Sequence, residues 1–165
     1  MTFSALAWIV FLPLAILLGL ASWHDVNHQR IPNRLVAAGT VWAFAAHALL
    51  PGGSGFLSLP AGGLGLPAAL GGLLIGGLLL MPLYGLGTMG AGDIKLLAML
   101  GAFLGPQHIA GAVLFSLLAV TLLSLPVLIK KRRLGGSLPF AVAIACGTLA
   151  YVGLLWMRAA AGGTA

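Results

Sequence analysis

The stretch MGAGDIKLLAMLG, Met89 to Gly101, places the acidic residue Asp93 between a pair of glycines and an apolar run. The apolar run predicts a helix, and Asp93 stands where an N-cap would bind free backbone N–H groups at the positive end of the helix dipole. The whole chain has only one other carboxylate side chain, Asp25. An acid retained at a helix end in so apolar a sequence indicates a role beyond capping.

The composition around this stretch is that of an integral membrane protein. Of 165 residues, 61% are hydrophobic and 6% are charged, and the mean hydropathy is +1.13. About a quarter of the residues in a soluble domain are charged. A soluble fold of this length cannot bury so much apolar surface, so lipid must solvate the excess. The sequence predicts one all-α transmembrane domain over residues 1–165.

Six apolar segments are predicted to be membrane-spanning helices. They are roughly Phe3–Ser22, Leu35–Leu50, Pro67–Tyr84, Ile94–Leu104, Ile109–Ile129 and Leu138–Met157. The first segment lacks the positive n-region of a signal peptide, so we expect it to be retained as a helix. The glycines of GGLLIGG, Gly71–Gly77, are expected to let helix backbones approach one another closely.

The connections between these segments carry an asymmetric charge. Alternating six helices across the membrane puts nearly all basic residues on one side: Arg30, Arg34, Lys95 and the run KKRR at Lys130–Arg133. Only Arg158 falls on the other side, so the positive-inside rule makes the basic side cytoplasmic. The formal net charge of +6 is expected to face anionic lipid headgroups rather than nucleic acid, because the basic residues are few and form no stripe with aromatic residues.

The same alternation brings both acids to the cytoplasmic boundary of the membrane. Asp25 follows the predicted first helix, and Asp93 precedes the predicted fourth. An ionisable residue at this depth is costly to desolvate and by default indicates a functional site. Two neighbouring carboxyl groups can share one proton. Such a pair can activate a water molecule while the neutral carboxyl polarises a peptide carbonyl, which is the chemistry of aspartic proteolysis.

The residues flanking Asp93 fit a peptide substrate. Gly90 and Gly92 are expected to adopt backbone angles closed to other residues and to leave room for an extended peptide. We expect Gly90, Gly92 and Lys95 to contact the substrate, although a lysine at a helix end commonly only extends its ammonium towards water. Asn33 is expected to cap the second helix.

Several alternatives stay open on these residues alone. Asp93 could be only a helix cap, and Asp25 only a solvated loop residue. A function of another class is a small transporter or channel subunit in which the two acids relay protons or bind a cation. His24 and His28 could share a helix face and bind a metal with Asp25, but zinc sites usually need a third firm ligand. No metal is therefore expected.

Two further side chains give weaker indications. Ser54 could be a nucleophile, but it has no obvious histidine base except His47, so serine proteolysis is disfavoured. Cys146 is the sole cysteine and therefore cannot form an intrachain disulfide. It lies within an apolar run and is expected to pack as a small hydrophobic residue.

The two acidic segments resemble motifs of the type IV prepilin peptidases, which are GxGD-type intramembrane aspartic proteases. DVNHQRIPN, Asp25–Asn33, is similar to the family's first aspartate motif, and GAGDIKLLAMLGAFLG, Gly90–Gly105, is similar to the second. LPFAVAIACG, Leu138–Gly147, is similar to a weaker third motif, with Ala141 where glycine is frequent. The joint presence of IPN after the first acid and KLLA after the second favours the peptidase over the transporter.

The resemblance implies that Asp25 and Asp93 are the catalytic pair of an endopeptidase that needs no cofactor. It also implies that the substrate is a prepilin or pilin-like precursor, cut at the cytoplasmic face of the bacterial inner membrane after a glycine that joins a basic leader to a hydrophobic helix. Larger members carry an N-terminal cytoplasmic region associated with N-methylation of the trimmed pilin. This sequence shows no counterpart of that region and is expected to belong to the short, peptidase-only branch of the CpaA/TadV kind, which serves Flp-type pili.

Overall fold

The computed structural model describes residues 3–50, 52–53, 55–57, 62–87, 89–129 and 140–162. Within these ranges the helical segments are α1 Phe3–His28, α2 Asn33–Leu49, α3 Leu66–Leu79, α4 Met81–Gly85, α5 Ala91–Ile129 and α6 Phe140–Gly162. The predicted all-α class is confirmed. Some predictions concern residues outside these ranges and are therefore not addressed by the structure. They are those for Ser54, Lys130–Arg133 and Leu138.

The protein is a polytopic membrane protein. Its described helices include four stretches long and apolar enough to cross a membrane, Trp8–His28, Leu66–Gly85, Ala91–Ser124 and Phe140–Arg158. Large apolar side chains on their outer faces, such as Leu12, Leu74 and Leu118, are more than half exposed, and lipid is the solvent that suits them. The helix α2 has 17 residues and is shorter than these stretches. The predicted count of six spanning helices is therefore not confirmed.

The helix α5 folds back on itself at Gly105. This residue has φ 73° and ψ 173°, a conformation that favours glycine. Gly76 of α3 lies against both Leu97 and Ile109, which an unbroken helix would hold about 18 Å apart at 1.5 Å per residue. The predicted fourth and fifth helices are thus the two legs of α5, which we call α5a (residues 91–104) and α5b (residues 106–129).

Glycines bring the backbones of neighbouring helices into contact. Gly72 of α3 and Gly101 of α5a face each other so closely that a Cβ on either residue would overlap the carbonyl group of the other. In the same way, Gly147 of α6 lies against the backbone of Ser116 in α5b. The close approach predicted from GGLLIGG is found at Gly72 and Gly76. Gly71 instead has open space beside it.

Contacts between α1 and α6 show that these helices are antiparallel. Ser22 near the end of α1 bonds Ala141 near the beginning of α6, whereas Trp8 and Trp156 meet at the other end with their ring centroids 6.0 Å apart. Ile31, just before α2, lies against Gly92 at the beginning of α5. The end of α1 and the beginnings of α2, α5 and α6 therefore form one end of the bundle, which we call the aspartate end.

The helix α1 continues past the predicted boundary at Ser22 as far as His28. It stops at Gln29, whose φ of 50° is left-handed, and whose N–H still donates to the Asp25 carbonyl at 2.9 Å. Pro32 then prevents the helix from resuming before α2. The prediction that Asp25 follows the first helix is wrong, because Asp25 lies in the last turn of that helix.

Candidate active site

A pocket of about 320 Å³ opens at the aspartate end of the bundle. Both acidic side chains of the protein line it, one from α1 and the other from α5a. The lining residues are Asp25, Gln29, Arg30, Ile31, Asn33, Gly90, Ala91, Gly92, Asp93 and Lys95. The two acids are also close enough for the charge of one to act on the other. The structure thus brings together the two residues that the sequence proposes as a pair.

Asp93 is the more buried member of this pair, with 7% of its surface exposed. Its Oδ2 accepts a hydrogen bond from the Gly90 N–H at 3.1 Å, and its own N–H donates to the Gly90 carbonyl at 3.1 Å. An acid in the first turn that reaches back to the residue before the helix forms half of a capping box. The predicted N-cap position of Asp93 is wrong, because the helix already begins at Ala91.

Asp25 is half-buried and is held by a different helix from its own. Its Oδ2 accepts a hydrogen bond from the N–H of Ala141 at 3.0 Å. Ala141 lies in the first turn of α6, where N–H groups lack acceptors within the helix and the dipole favours negative charge. Asp25 itself lies at the C-terminal end of α1, where the dipole of that helix disfavours negative charge. The beginning of α6 therefore stabilises a carboxylate that α1 alone would disfavour.

The contact between Asp25 and Ala141 lies at the candidate site and was not predicted from the sequence. One signal was present, because the Pro139-Phe140 pair marks the beginning of a helix. Nothing in the sequence indicates that this helix begins beside Asp25.

Lys95 and Asn33 join α5a to α2 at the rim of the pocket. The Lys95 ammonium donates to the Asn33 Oδ1 at 3.0 Å, and both side chains are exposed. The N-cap residue of α2 is Pro32, and no side chain caps this helix. The prediction that Asn33 caps α2 is therefore wrong, because Asn33 is the first residue of the helix and its side chain binds Lys95 instead.

Gly90 and Gly92 line the pocket, but their backbone angles are not the predicted ones. Neither has a positive φ, and among the described residues of the turn before α5 the left-handed one is Gly87, with φ 71°. A Cβ on Gly90 would lie 3.4 Å from the Asp93 Oδ2, and one on Gly92 would lie 3.5 Å from the Ile31 Cβ. Both are ordinary contacts. The expectation of special backbone angles is wrong, and these glycines instead leave the pocket wall beside Asp93 free of side chains.

His24 and His28 share a face of α1, as their spacing suggests, with ring centroids 5.6 Å apart. The carboxyl of Asp25, which lies between them in sequence, bonds α6. Over the described part of the chain, no group of three or more His, Cys, Asp or Glu side chains is placed to hold a metal ion.

Gln29 at the pocket rim offers a test of the local geometry. A residue with a Cβ is strained by about 1 kcal/mol in the left-handed conformation that Gln29 adopts. We therefore expect Gln29→Gly to raise the free energy of unfolding by about 1 kcal/mol in a denaturant titration of the detergent-solubilised protein. The control is Asn27→Gly, within the last turn of α1, which should lower that free energy by about 0.5 kcal/mol, because glycine is the poorer helix former and the Asn27 side chain no longer donates to the Trp23 carbonyl. Equal losses of unfolding free energy in Gln29→Gly and Asn27→Gly would contradict the left-handed conformation of Gln29.

Comparison with known proteins shows which family this sequence is similar to. The sequence model of the type IV leader peptidase family matches residues 12–129, a range that contains both acids. The prepilin leader peptidase/N-methyltransferase of Bacillus subtilis (strain 168) is 33% identical over 146 residues. The match covers 87% of this chain and 54% of that relative, so the chain spans about half of the relative's length. No solved structure gives a significant match.

Proposed function

The chain belongs to the type IV leader peptidase family, and we propose that it is an intramembrane aspartic endopeptidase that removes the leader from type IV prepilins. One observation carries the proposal. The only two acidic side chains in 165 residues, Asp25 and Asp93, line a single pocket. Paired carboxyl groups are the arrangement that aspartic proteolysis requires.

In the proposed reaction, the ionised carboxyl of the pair accepts a proton from a water molecule held between Asp25 and Asp93. The oxygen of that water attacks the scissile carbonyl carbon while the protonated carboxyl donates to the carbonyl oxygen. The product of this step is a tetrahedral intermediate that is not bonded to the enzyme. A proton then moves to the leaving amine as the C–N bond breaks, and neither a metal nor an organic cofactor takes part.

The pocket wall suits an extended peptide beside Asp93. Gly90 and Gly92 present backbone rather than side chains there, and we propose that the substrate backbone lies against them. Lys95 stands at the rim with its ammonium on Asn33, within reach of a peptide entering from the membrane surface. We propose that Gly90, Gly92 and Lys95 bind the substrate. The catalytic residues of the proposal are Asp25 and Asp93.

We further propose that the substrate is an Flp-type pilin precursor. The family match supports a type IV prepilin substrate and gives no support to the transporter alternative. The test is to incubate membranes containing the protein with an Flp-type precursor and, separately, with a precursor from another type IV pilus. A shortened product with a new N-terminus directly after the leader glycine is expected from the first. Failure to shorten any prepilin would overturn the peptidase proposal.

We propose that the protein lies in the inner membrane of a bacterium and that its aspartate end faces the cytoplasm. Arg30, Arg34 and Lys95 are exposed at this end, and the positive-inside rule favours that side for them. In a Cys146→Ala background, Arg34→Cys should react with a membrane-impermeant maleimide only in inverted vesicles. The matched variant Gly52→Cys, in the loop at the other end, should react only in intact cells whose outer membrane has been permeabilised. The reverse pattern would place the pocket outside.

A further inference from the structure

Ser22 and Asp25 lie about one turn apart on α1 and bind the same residue of α6. The Asp25 Oδ2 accepts a hydrogen bond from the Ala141 N–H at 3.0 Å, and the Ser22 Oγ donates to the Ala141 carbonyl oxygen at 3.3 Å. Ala141 is completely buried. The helix α1 thus holds both peptide groups that flank the Ala141 Cα. We call this arrangement the Ala141 clamp.

The hydrogen bond from Ser22 matters because Ala141 lies in the first turn of α6. A first helical turn frays easily, since its N–H groups have no acceptors within the helix. The Ala141 N–H can hold the Asp25 carboxyl in one place only if that turn is itself held. The Ser22 hydroxyl binds the other side of the same residue and so restrains the turn from rotating or unwinding.

We propose that Ser22 is a positioning residue for Asp25, acting through the backbone of Ala141. This inference rests on the proposed function, because the exact place of the Asp25 carboxyl affects catalysis only if that carboxyl activates water. Ser22 is not among the residues that line the pocket. A displacement of about 1 Å in a catalytic group can lower a rate up to about 10²-fold, so a modest shift of this carboxyl is enough to be measured.

The kinetic test compares two serines that both donate to a carbonyl of α6. Ser22→Ala should lower kcat by about tenfold while KM stays within about twofold, and Ser22→Thr, which retains the hydroxyl, should restore most of kcat. The matched control is Ser116→Ala. The Ser116 hydroxyl donates mainly to the Ala112 carbonyl of its own helix at 2.7 Å and shares that hydrogen with the Ile144 carbonyl of α6 at 3.4 Å. Neither of these carbonyls belongs to the residue that binds Asp25.

The outcomes separate positioning from general packing. Ser116→Ala should keep kcat within about twofold of the unmodified protein. An equal fall of kcat in Ser22→Ala and Ser116→Ala would show that Ser22 only stabilises α6, and would overturn the proposal. An unchanged kcat in Ser22→Ala, or a change in KM alone, would overturn it as well.

A second readout does not depend on cleavage. Because the protein has two aspartates and no glutamate, labelling aspartate with ¹³C at Cγ gives two side-chain carboxyl signals, and Asp25→Asn assigns them. Ser22→Ala should move the Asp25 signal and should move the Asp93 signal less, whereas Ser116→Ala should move neither. An unmoved Asp25 signal would overturn the clamp even if prepilin is cleaved. A moved signal in a protein that cleaves no prepilin would support the clamp and overturn the proposed function.

Discussion

Replacing either acid by its isosteric amide should abolish cleavage. Asp25→Asn and Asp93→Asn are each expected to lower kcat/KM for a prepilin by about 10³-fold or more, the upper range for loss of a general acid or base. An amide can neither accept the proton of the attacking water nor supply one to the carbonyl oxygen. The measurement is the rate at which a purified precursor is shortened by the detergent-solubilised protein.

Both substitutions should leave the fold intact. An asparagine Oδ1 can still accept from the Ala141 N–H or the Gly90 N–H, which are the bonds that the two carboxyls make. The double variant should be no less active than the more damaged single variant, because the pair acts as one unit. Asn27→Ala, an exposed side chain in the last turn of α1, is the control and should retain activity. Retained cleavage in either Asp→Asn variant would reject the paired mechanism.

Gly72→Ala is expected to destabilise the α3–α5a interface strongly. The added Cβ would overlap the carbonyl of Gly101, and because that atom belongs to the backbone, the two helices must move apart. Overpacking of this kind costs about 1–3 kcal/mol, and we expect the upper part of that range. The measurement is the free energy of unfolding in detergent, followed by helical circular dichroism against increasing denaturant.

The matched control is the adjacent glycine of the same helix. A Cβ on Gly71 would have no neighbouring atom within 4 Å, so Gly71→Ala should leave stability unchanged or raise it by up to about 1 kcal/mol through better helix propensity. Gly101 belongs to the same leg as Asp93, so the Gly72→Ala shift should also reduce cleavage in the fraction that stays folded. Equal stability of the Gly71 and Gly72 variants would show that the backbones are not in contact at Gly72.

Much of the architecture could be predicted from the sequence because it depends on local properties. The scarcity of charge determines that the chain is solvated by lipid, and a backbone in lipid must satisfy its hydrogen bonds within helices. The reversal at Gly105 follows from a glycine directly before a proline, because the residue before a proline is disfavoured in the helical conformation and glycine readily adopts a left-handed one. That both acids lie at one end follows from alternating the segments across the membrane, and this needs no knowledge of side-chain packing.

The contacts that build the site depended on tertiary structure. The bond of Asp25 to the Ala141 N–H, the bond of Lys95 to Asn33 and the choice of Gly72 rather than Gly71 at the α3–α5a interface all depend on how each helix is rotated about its axis. In a soluble helix an amphipathic pattern reveals that rotation. Here lipid is as apolar as the protein interior, so the faces towards lipid and towards protein look alike in sequence. The sequence by itself therefore determined the class of the fold and the end of the bundle at which the two acids lie. Only the packing of helices distant in the chain decided which groups hold them.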